Sequence, residues 1–534
     1  DAISVGTGRN TVLGDNGSLA YDVTSGVTTI QTTAAQYGGV DTINLGTGDN
    51  VALGGTAADE ITVTGSTANS TAIVLGDNGY LTQDSNGKLL EIYSADYAYG
   101  DVDTITLTNG TNAVIGGVAA DVITVGDGTN TILGDDGRAT FNNGTLLTIE
   151  STNTENGGND TITISDGVNT AFGGVGEDAI SVGTGRNTVL GDNGSLVNSS
   201  DSVVIETIAH NFGGDDSISV RSGIAMLMGG TGKDTVTSSA TVLDIPSKMI
   251  VLGDNGAINV VHALDQMTVT TTDTIIGDTD TITTGHGDDV VAGGTAGDTV
   301  VTNAGQDVIF GDNAELVFEL STSFASSTTG SVIFTNGYSI TPKIGGDDVI
   351  NSGADTDKIS GGAFADYIIA GDGDDVVLGD HAKFDVTFAV EQPYLSIYVQ
   401  NEFNGGNDYI DGQGNDDFLL GQNGNDEIHG GSGEDDIIGG HHVLGGEDGD
   451  DLIYGGLDAD VILGDNGRIT RTRISSSSTQ WRRYPQPFAD IERNVEMYDD
   501  VEDMLGGHIS RYTGDDEIYG NGGDDVIHGQ RGND

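Results

Sequence analysis

Hydrophobic and polar positions along this chain alternate in short bursts, each fenced by glycine. Residues 38–79 split into GGVDTINLG, TGDNVALGG, TAADEITVTG and STANSTAIVLGDNG. Each piece is a glycine-rich turn followed by a few alternating apolar and small residues, with Val, Ile and Thr dominant. Period-two alternation in such residues predicts a short β-strand. A piece of about nine residues is one turn plus one strand, so two pieces make a coil of about 18. The residues after each GDNG read differently. SLAYDVTSGVTTIQTT, YLTQDSNGKLLEIYS and RATFNNGTLLTIEST each place a TSG, SNG or NNG turn between two β-rich runs, which predicts a hairpin. One hairpin per unit is expected to project from the same edge of the coils. The predicted fold is all-β: a parallel β-roll or β-helix solenoid with projecting β-hairpins. Helical periodicity is weak throughout, with a short helix expected at most near residues 491–504.

Longer repeats organise these pieces. Asp1 to Leu19 reads DAISVGTGRNTVLGDNGSL, and Asp178 to Leu196 repeats it letter for letter. The signature LGDNG or a variant places its Asp at 15, 77, 135, 192, 254, 312, 380 and 465. Its first spacings (77 − 15 = 62, 135 − 77 = 58, 192 − 135 = 57) sum to 177, the offset of the long repeat. Internal repeats set the architecture ahead of any domain count from length. Four regions follow: a degenerate solenoid over 1–344 in units of about 60 residues, a regular nonapeptide roll over 345–467, an insertion over 468–512, and a resumed roll over 513–534. The insertion holds seven of the 18 Lys+Arg residues and the sole Trp, Trp481. Both ends of the sequence fall in mid-repeat, so it is read as a fragment of a longer protein.

Charge narrows the function classes. With 18 Lys+Arg and 83 Asp+Glu the formal net charge is −65. Phosphate-mediated nucleic-acid binding needs clustered Lys and Arg, and an anionic membrane surface repels such a chain. Self-repulsion on this scale opposes any compact state unless cations cancel it. There is no Cys, hence no disulfide and no thiolate metal site. No apolar run is long enough for a transmembrane helix. HExxH and GxSxG motifs are absent, and GGTGKD around Lys233 lacks the Ser or Thr and the helix of a phosphate loop.

The nine-residue piece has the form GGxGxDxUx, with U a large aliphatic residue. U points inward and builds a thin core, glycines permit positive φ in the turn, and Asp points toward the neighbouring coil. Coils stack about 4.8 Å apart, so successive turns offer carboxylates and carbonyls around a gap. Calcium, with its six to eight oxygens and irregular geometry, suits such a gap better than magnesium. GGNDYI, GNDDFL, NGNDEI and GGDDVI carry a close resemblance to the RTX (hemolysin-type calcium-binding) repeat family. The resemblance covers most of the chain, strongly in 345–464 and 513–534 and in degenerate form before. It implies a right-handed parallel β-roll with multiple Ca2+ ions between turns. It also implies a bacterial protein exported by type I secretion that folds outside the cell. By the family motif the ligand aspartates are Asp348, Asp357, Asp366, Asp375, Asp408, Asp416, Asp426, Asp435, Asp451, Asp460, Asp516 and Asp525.

The first half departs from the family. Asp41, Asp59, Asp103, Asp121, Asp160 and Asp178 alternate with Asn50, Asn112, Asn130, Asn169 and Asn187. One edge of the roll is therefore expected to bind calcium and the other to be mostly metal-free, its Asn side chains bonding along the stack. From Asp280, Asp289, Asp298 and Asp307 onward both edges turn acidic. The GDNG aspartates are read as hairpin starts, and His441 and His442 as solvated turn residues. The insertion is read either as a contact with an acidic neighbouring chain, giving self-association into rods or filaments through Arg468–Tyr512, or as a structural loop that caps an edge. The expected function is non-catalytic: a calcium-stabilised scaffold of an extracellular or cell-surface protein, such as an adhesin stalk, surface layer or filament. The alternative is the repeat region of a secreted enzyme or toxin whose active domain lies elsewhere. A third reading, ice or polysaccharide contact through a flat Thr-bearing face, is weakened because Thr positions drift between units.

Overall fold

The computed structural model describes residues 1–64, 70–241, 247–320, 332–387, 393–396, 405–443, 446, 448–475, 478, 480–485, 489–498 and 514–534. It divides into two compact units, Asp1–Asp278 with Leu320–Ser331, and Thr279–Glu319 with Val332–Asp534. Compactness thus changes at Thr279, while the repeat becomes regular only at 345; the two boundaries mark different properties.

In the first unit the nine-residue pieces form one turn and one strand each, and successive strands fall alternately on two walls. One wall contains Thr42–Leu45, Glu60–Val63, Thr104–Leu107, Val122–Val125 and Thr161–Ile164, all parallel neighbours. The other contains Asn50–Leu53, Thr71–Leu75, Gly110–Ile115, Gly128–Leu133 and Gly167–Gly174, again parallel. Ile43, Ile61, Ile105, Ile123, Ile162, Ile180, Ile218 and Val236 stack in register on the first wall and are buried. This wall is open to solvent on its far side, and its burial alternates residue by residue. In Asn50–Leu53 of the second wall every residue is buried. Strands buried on both faces read as continuous apolar runs, which accounts for NVAL, TAIVL and NTIL.

The cover on that second wall is made by the hairpins, and the structure answers a point the sequence leaves open: they pair with one another. Val27–Thr32 of the first hairpin pairs antiparallel with Gly79–Gln83 of the next. The same junction joins Leu89–Ser94 to Gly137–Asn142, Thr145–Ser151 to Gly194–Asn198, and Ser202–Thr207 to Gly256–Val261. Both strands of the second, third and fourth hairpins are taken up by neighbours in this way, which removes exposed ladder groups. Buried Ile30, Leu81, Ile92, Ala139, Ile149, Leu196 and Ile205 line this added sheet.

The second unit repeats the two-walled plan. Ile282, Val300, Ile350, Ile368, Ile410, Ile428 and Ile453 stack on one wall. Ile309, Ile359, Val377, Leu419, Ile437 and Ile462 stack on the other. Hairpin residues cover the latter, as in the ring contact of Phe384 with Phe310 at 5.6 Å. The short helix expected near 491–504 is corrected within the described part: Arg493–Met497 is a strand paired with Gly467–Arg471. The remainder of that stretch lies outside the described residues.

Register also revises one point about the open wall. Its solvent-facing positions Asn44, Thr62, Thr106, Thr124, Thr163, Ser181, Ser219 and Thr237 align in a single column. The apparent drift of Thr along the sequence comes from hairpins of unequal length, which change spacing without changing register.

Candidate calcium-binding turns

Each motif Asp precedes the first residue of a strand, so its backbone is fixed by the parallel ladder: the N–H of Glu60 donates to Asp41 O, and that of Val122 to Asp103 O. With the main chain pinned, the side chains form a second ladder. The Asp41 N–H donates to Oδ1 of Asp59 at 2.7 Å, and the same 2.7 Å bond links Asp59 to Asp103, Asp103 to Asp121, Asp121 to Asp160, and Asp160 to Asp178. It continues to Asp216 and Asp234, which the sequence reading passed over although GGDDSI and GKDTV carry them.

The second unit has such a ladder on both edges. One links Asp280 to Asp298, then Asp348, Asp366, Asp408, Asp426, Asp451 and Asp516. The other links Asp289 to Asp307, then Asp357, Asp375, Asp417, Asp435, Asp460 and Asp525. Asp416 is therefore corrected to Asp417. GNDD offers two adjacent aspartates, and Asp416 occupies the outer of the two positions. Its Oδ1 accepts from the Glu434 N–H at 2.9 Å. An outer ladder of this kind also links Asn425 to Asn407 and Asp450 to Asn425, at 2.9 and 3.0 Å. It runs opposite to the inner one.

Many inner-ladder carboxylates have one oxygen spent and one open. Oδ2 of Asp41, Asp59, Asp103, Asp121, Asp160, Asp178 and Asp216 is buried without a hydrogen-bond partner. The same holds for Asp348, Asp366, Asp375, Asp408, Asp417, Asp426, Asp435, Asp451, Asp460 and Asp516. These oxygens lie over glycines: a methyl group on Gly116 would collide with Oδ2 of Asp121, and one on Gly421 with that of Asp426. An unpaired buried carboxylate is costly, and it answers either by protonation or by pairing with a cation. Burial first, then neighbouring carboxylates, push Asp121 and Asp417 up to about 11. Burial likewise pushes Asp103 and Asp408 to about 8, and Asp357, Asp375 and Asp435 to about 7. Among the described residues no group of three or more His, Asp or Glu side chains converges on one point. A cation held here takes carboxylate oxygens coil by coil and completes its shell with turn carbonyls and water. That donor set, all oxygen and irregular, suits calcium.

Two related positions do other work. The GDNG carboxylates spend both oxygens on the protein. Asp135 accepts from the N–H groups of Gly158 at 3.0 Å and Val175 at 2.5 Å, and Asp77 accepts from Asp101 and Val118. Each ties the loop that returns from a hairpin to a turn of the next coil, as their reading as hairpin starts requires. Replacing Asp135 with Ala orphans two N–H groups, at about 1–3 kcal/mol each. D135A is expected to melt several degrees lower while its bound-calcium count stays unchanged; a reduced count in mass spectrometry would refute the assignment.

The Asn edge of the first unit bonds along itself, with a break at Ala72 that leaves Oδ1 of Asn112 buried without a partner. The amide of Asn112 donates to Oδ1 of Asn130 at 2.8 Å, Asn130 to Asn169, and Asn169 to Asn187, while Asn10 donates to Asn50. An amide supplies both donor and acceptor, so this stack needs no ion. Asn130→Ala is expected to cost about 1–3 kcal/mol equally with and without calcium; a loss confined to calcium-loaded protein would place a metal on this edge.

The insertion fits its reading as a structural loop in part, and the histidines depart from expectation. The side chains of Arg471 and Arg493 are buried, and both bond Asp436 at 2.8 Å; Arg483 pairs with Glu434. These three arginines bind their own unit. His441 and His442, read as solvated, are 1 % and 5 % exposed. Tyr394 stacks edge-on against His442, and burial lowers that imidazole to about 4.

Ladders of half-satisfied carboxylates repeating coil after coil define a calcium-binding repeat solenoid. The family model of the RTX calcium-binding nonapeptide repeat matches residues 106–141, 163–195, 271–300, 293–314, 351–380, 404–437, 444–468 and 512–534. The chain carries RTX repeats in several copies, and such repeats bind calcium. No curated protein and no solved structure matches it significantly. At the coarse level the chain is a calcium-binding repeat region of the kind found in secreted or surface bacterial proteins.

Proposed function

We propose that this region is a non-catalytic, calcium-stabilised scaffold of an extracellular or cell-surface protein, held by calcium at the inner-ladder aspartates. The observation that carries this reading is the row of buried, unpartnered Oδ2 atoms, which recurs in many coils and singles out no one of them as a reaction centre. The arrangement nearest to a catalytic triad supports the same view. His210 bonds Asp273 at 2.9 Å and approaches the Thr207 hydroxyl at 3.3 Å. That hydroxyl, however, accepts from the Gly256 N–H at 3.0 Å. Thr32, Ser94 and Ser151 bond Gly79, Gly137 and Gly194 in the same way at earlier hairpin junctions, so Thr207 is a strut.

The test is a calcium titration followed by light scattering and electron microscopy. Calcium-dependent folding with ordered self-association supports an adhesin stalk, surface layer or filament. Folding with calcium into a monomer shifts the reading to the repeat region of a secreted enzyme or toxin. The aligned hydroxyl column of the open wall favours, as a second reading, contact with a cell-surface polysaccharide. Co-sedimentation with insoluble polysaccharide, abolished by Thr124→Lys, is the result expected if that column is used.

A further inference from the structure

Two buried guanidinium groups lie against the outer face of the Asp417–Asp435–Asp460 edge. Arg471 and Arg493 lie on the paired strands Gly467–Arg471 and Arg493–Met497 and are 1 % and 4 % exposed. Arg471 donates to the carbonyls of Asp416 at 2.9 Å, Asp417 at 2.8 Å and Glu434 at 3.2 Å. Arg493 donates to the carbonyls of Glu434 at 2.6 Å and Ala459 at 3.4 Å. Asp416, Glu434 and Ala459 each immediately precede a ladder aspartate, in three successive coils. Both arginines share the carboxylate of Asp436, Nε of Arg471 on Oδ2 and Nε of Arg493 on Oδ1. Phe418 lies beneath the Arg471 guanidinium, 4.1 Å from ring centroid to Cζ. Fixed positive charge thus lies against the turn carbonyls and the Asp436 carboxylate, while Oδ2 of Asp417, Asp435 and Asp460 keeps no hydrogen-bond partner; delocalised charge and planar donors tolerate burial.

We propose that Arg471 and Arg493 are tethered counter-ions: they hold the Asp417–Asp435–Asp460 edge with guanidinium groups, so this patch binds fewer calcium ions than the opposite edge of the same coils. The inference rests on the calcium reading of the ladders.

The experiment counts bound calcium by native mass spectrometry on the full chain, for wild type, R471Q/R493Q and R471K/R493K, with the calcium midpoint of folding measured alongside. The Gln pair is expected to bind at least one more ion and to fold at a calcium midpoint about threefold higher or more, through mass-action linkage. The Lys pair, which keeps the charge, is expected to bind the wild-type number. If R471Q/R493Q fails to fold, the single variant R493Q supplies the same count. An unchanged count in the Gln variants overturns the proposal even if the midpoint moves, because the arginines are then ordinary packing contacts. A wild type that folds in chelator and binds no calcium removes the ladder reading and this one together; calcium-dependent folding with an unchanged count removes this one alone.

Discussion

Chelation of calcium is expected to abolish most of the β-sheet circular dichroism of this chain, and return of millimolar calcium to restore it. The chain carries −65 formal charges, and the inner ladders concentrate many of them in buried rows. Below the raised protonation range of these groups, protons neutralise them; where a carboxylate ionises in place, a divalent cation has to. A single site held at a hundred times its dissociation constant contributes about 2.7 kcal/mol, and whole-domain stability is only about 5–15 kcal/mol. A few occupied coils therefore decide between folded and unfolded. Spectra and melting curves with and without chelator measure this directly. Complete β signal and an unshifted melt in chelator would show the acidic turns to be turns alone.

The second large effect is a pH dependence that changes sign with calcium. Burial raises Asp103 and Asp408 to about 8 and Asp357, Asp375 and Asp435 to about 7, from an unfolded value of 3.8. The calcium-free folded state therefore binds more protons than the unfolded state between these limits. By linkage its stability is highest below about pH 4 and is lost as pH rises toward 7–8. Acid is expected to substitute in part for calcium: in chelator, lowering the pH from 8 to 4 raises the melting temperature. In saturating calcium the slope reverses, because protons displace the ion from the same oxygens. Melts at pH 4, 6 and 8 under both conditions suffice. A chelated protein whose melting temperature rises with pH would rule out buried, ion-free carboxylates.

Much of this was legible in the sequence because the repeat is a physical unit. The turn-plus-strand piece of nine residues, the hairpins after GDNG and the self-bonding Asn edge each follow from local chemistry. What stayed hidden depends on contacts made far along the chain. Asn50–Leu53 is apolar on both faces because a second sheet lies over it, yet neighbouring hairpins meet only once the coils have stacked. Asp416 and Asp417 stand side by side, but the nine-residue spacing from Asp408 to Asp417, Asp426 and Asp435 already points to the second, and the backbone of Asp375 selects it in the structure. Asp216 and Asp234 lie in pieces whose spacing the hairpins disturb, so periodicity passed over them while register does not. Arg471, a surface residue by type, is buried because Asp436 and three turn carbonyls supply the partners that burial demands.

The alternation of open and covered walls sets a quantum for changes in chain length. Deleting nine residues would exchange the walls for every residue that follows, placing Thr and Asn of the solvent side beneath the hairpin sheet and aliphatic residues in water. Deleting eighteen returns each residue to its own wall, as Thr104–Leu107 and Val122–Val125 show by pairing residue for residue across that interval. Growth and loss of this chain are tolerable in whole coils and not in halves, and the exact duplication of Asp1 to Leu19 as Asp178 to Leu196 obeys the rule, since both copies begin on the open wall.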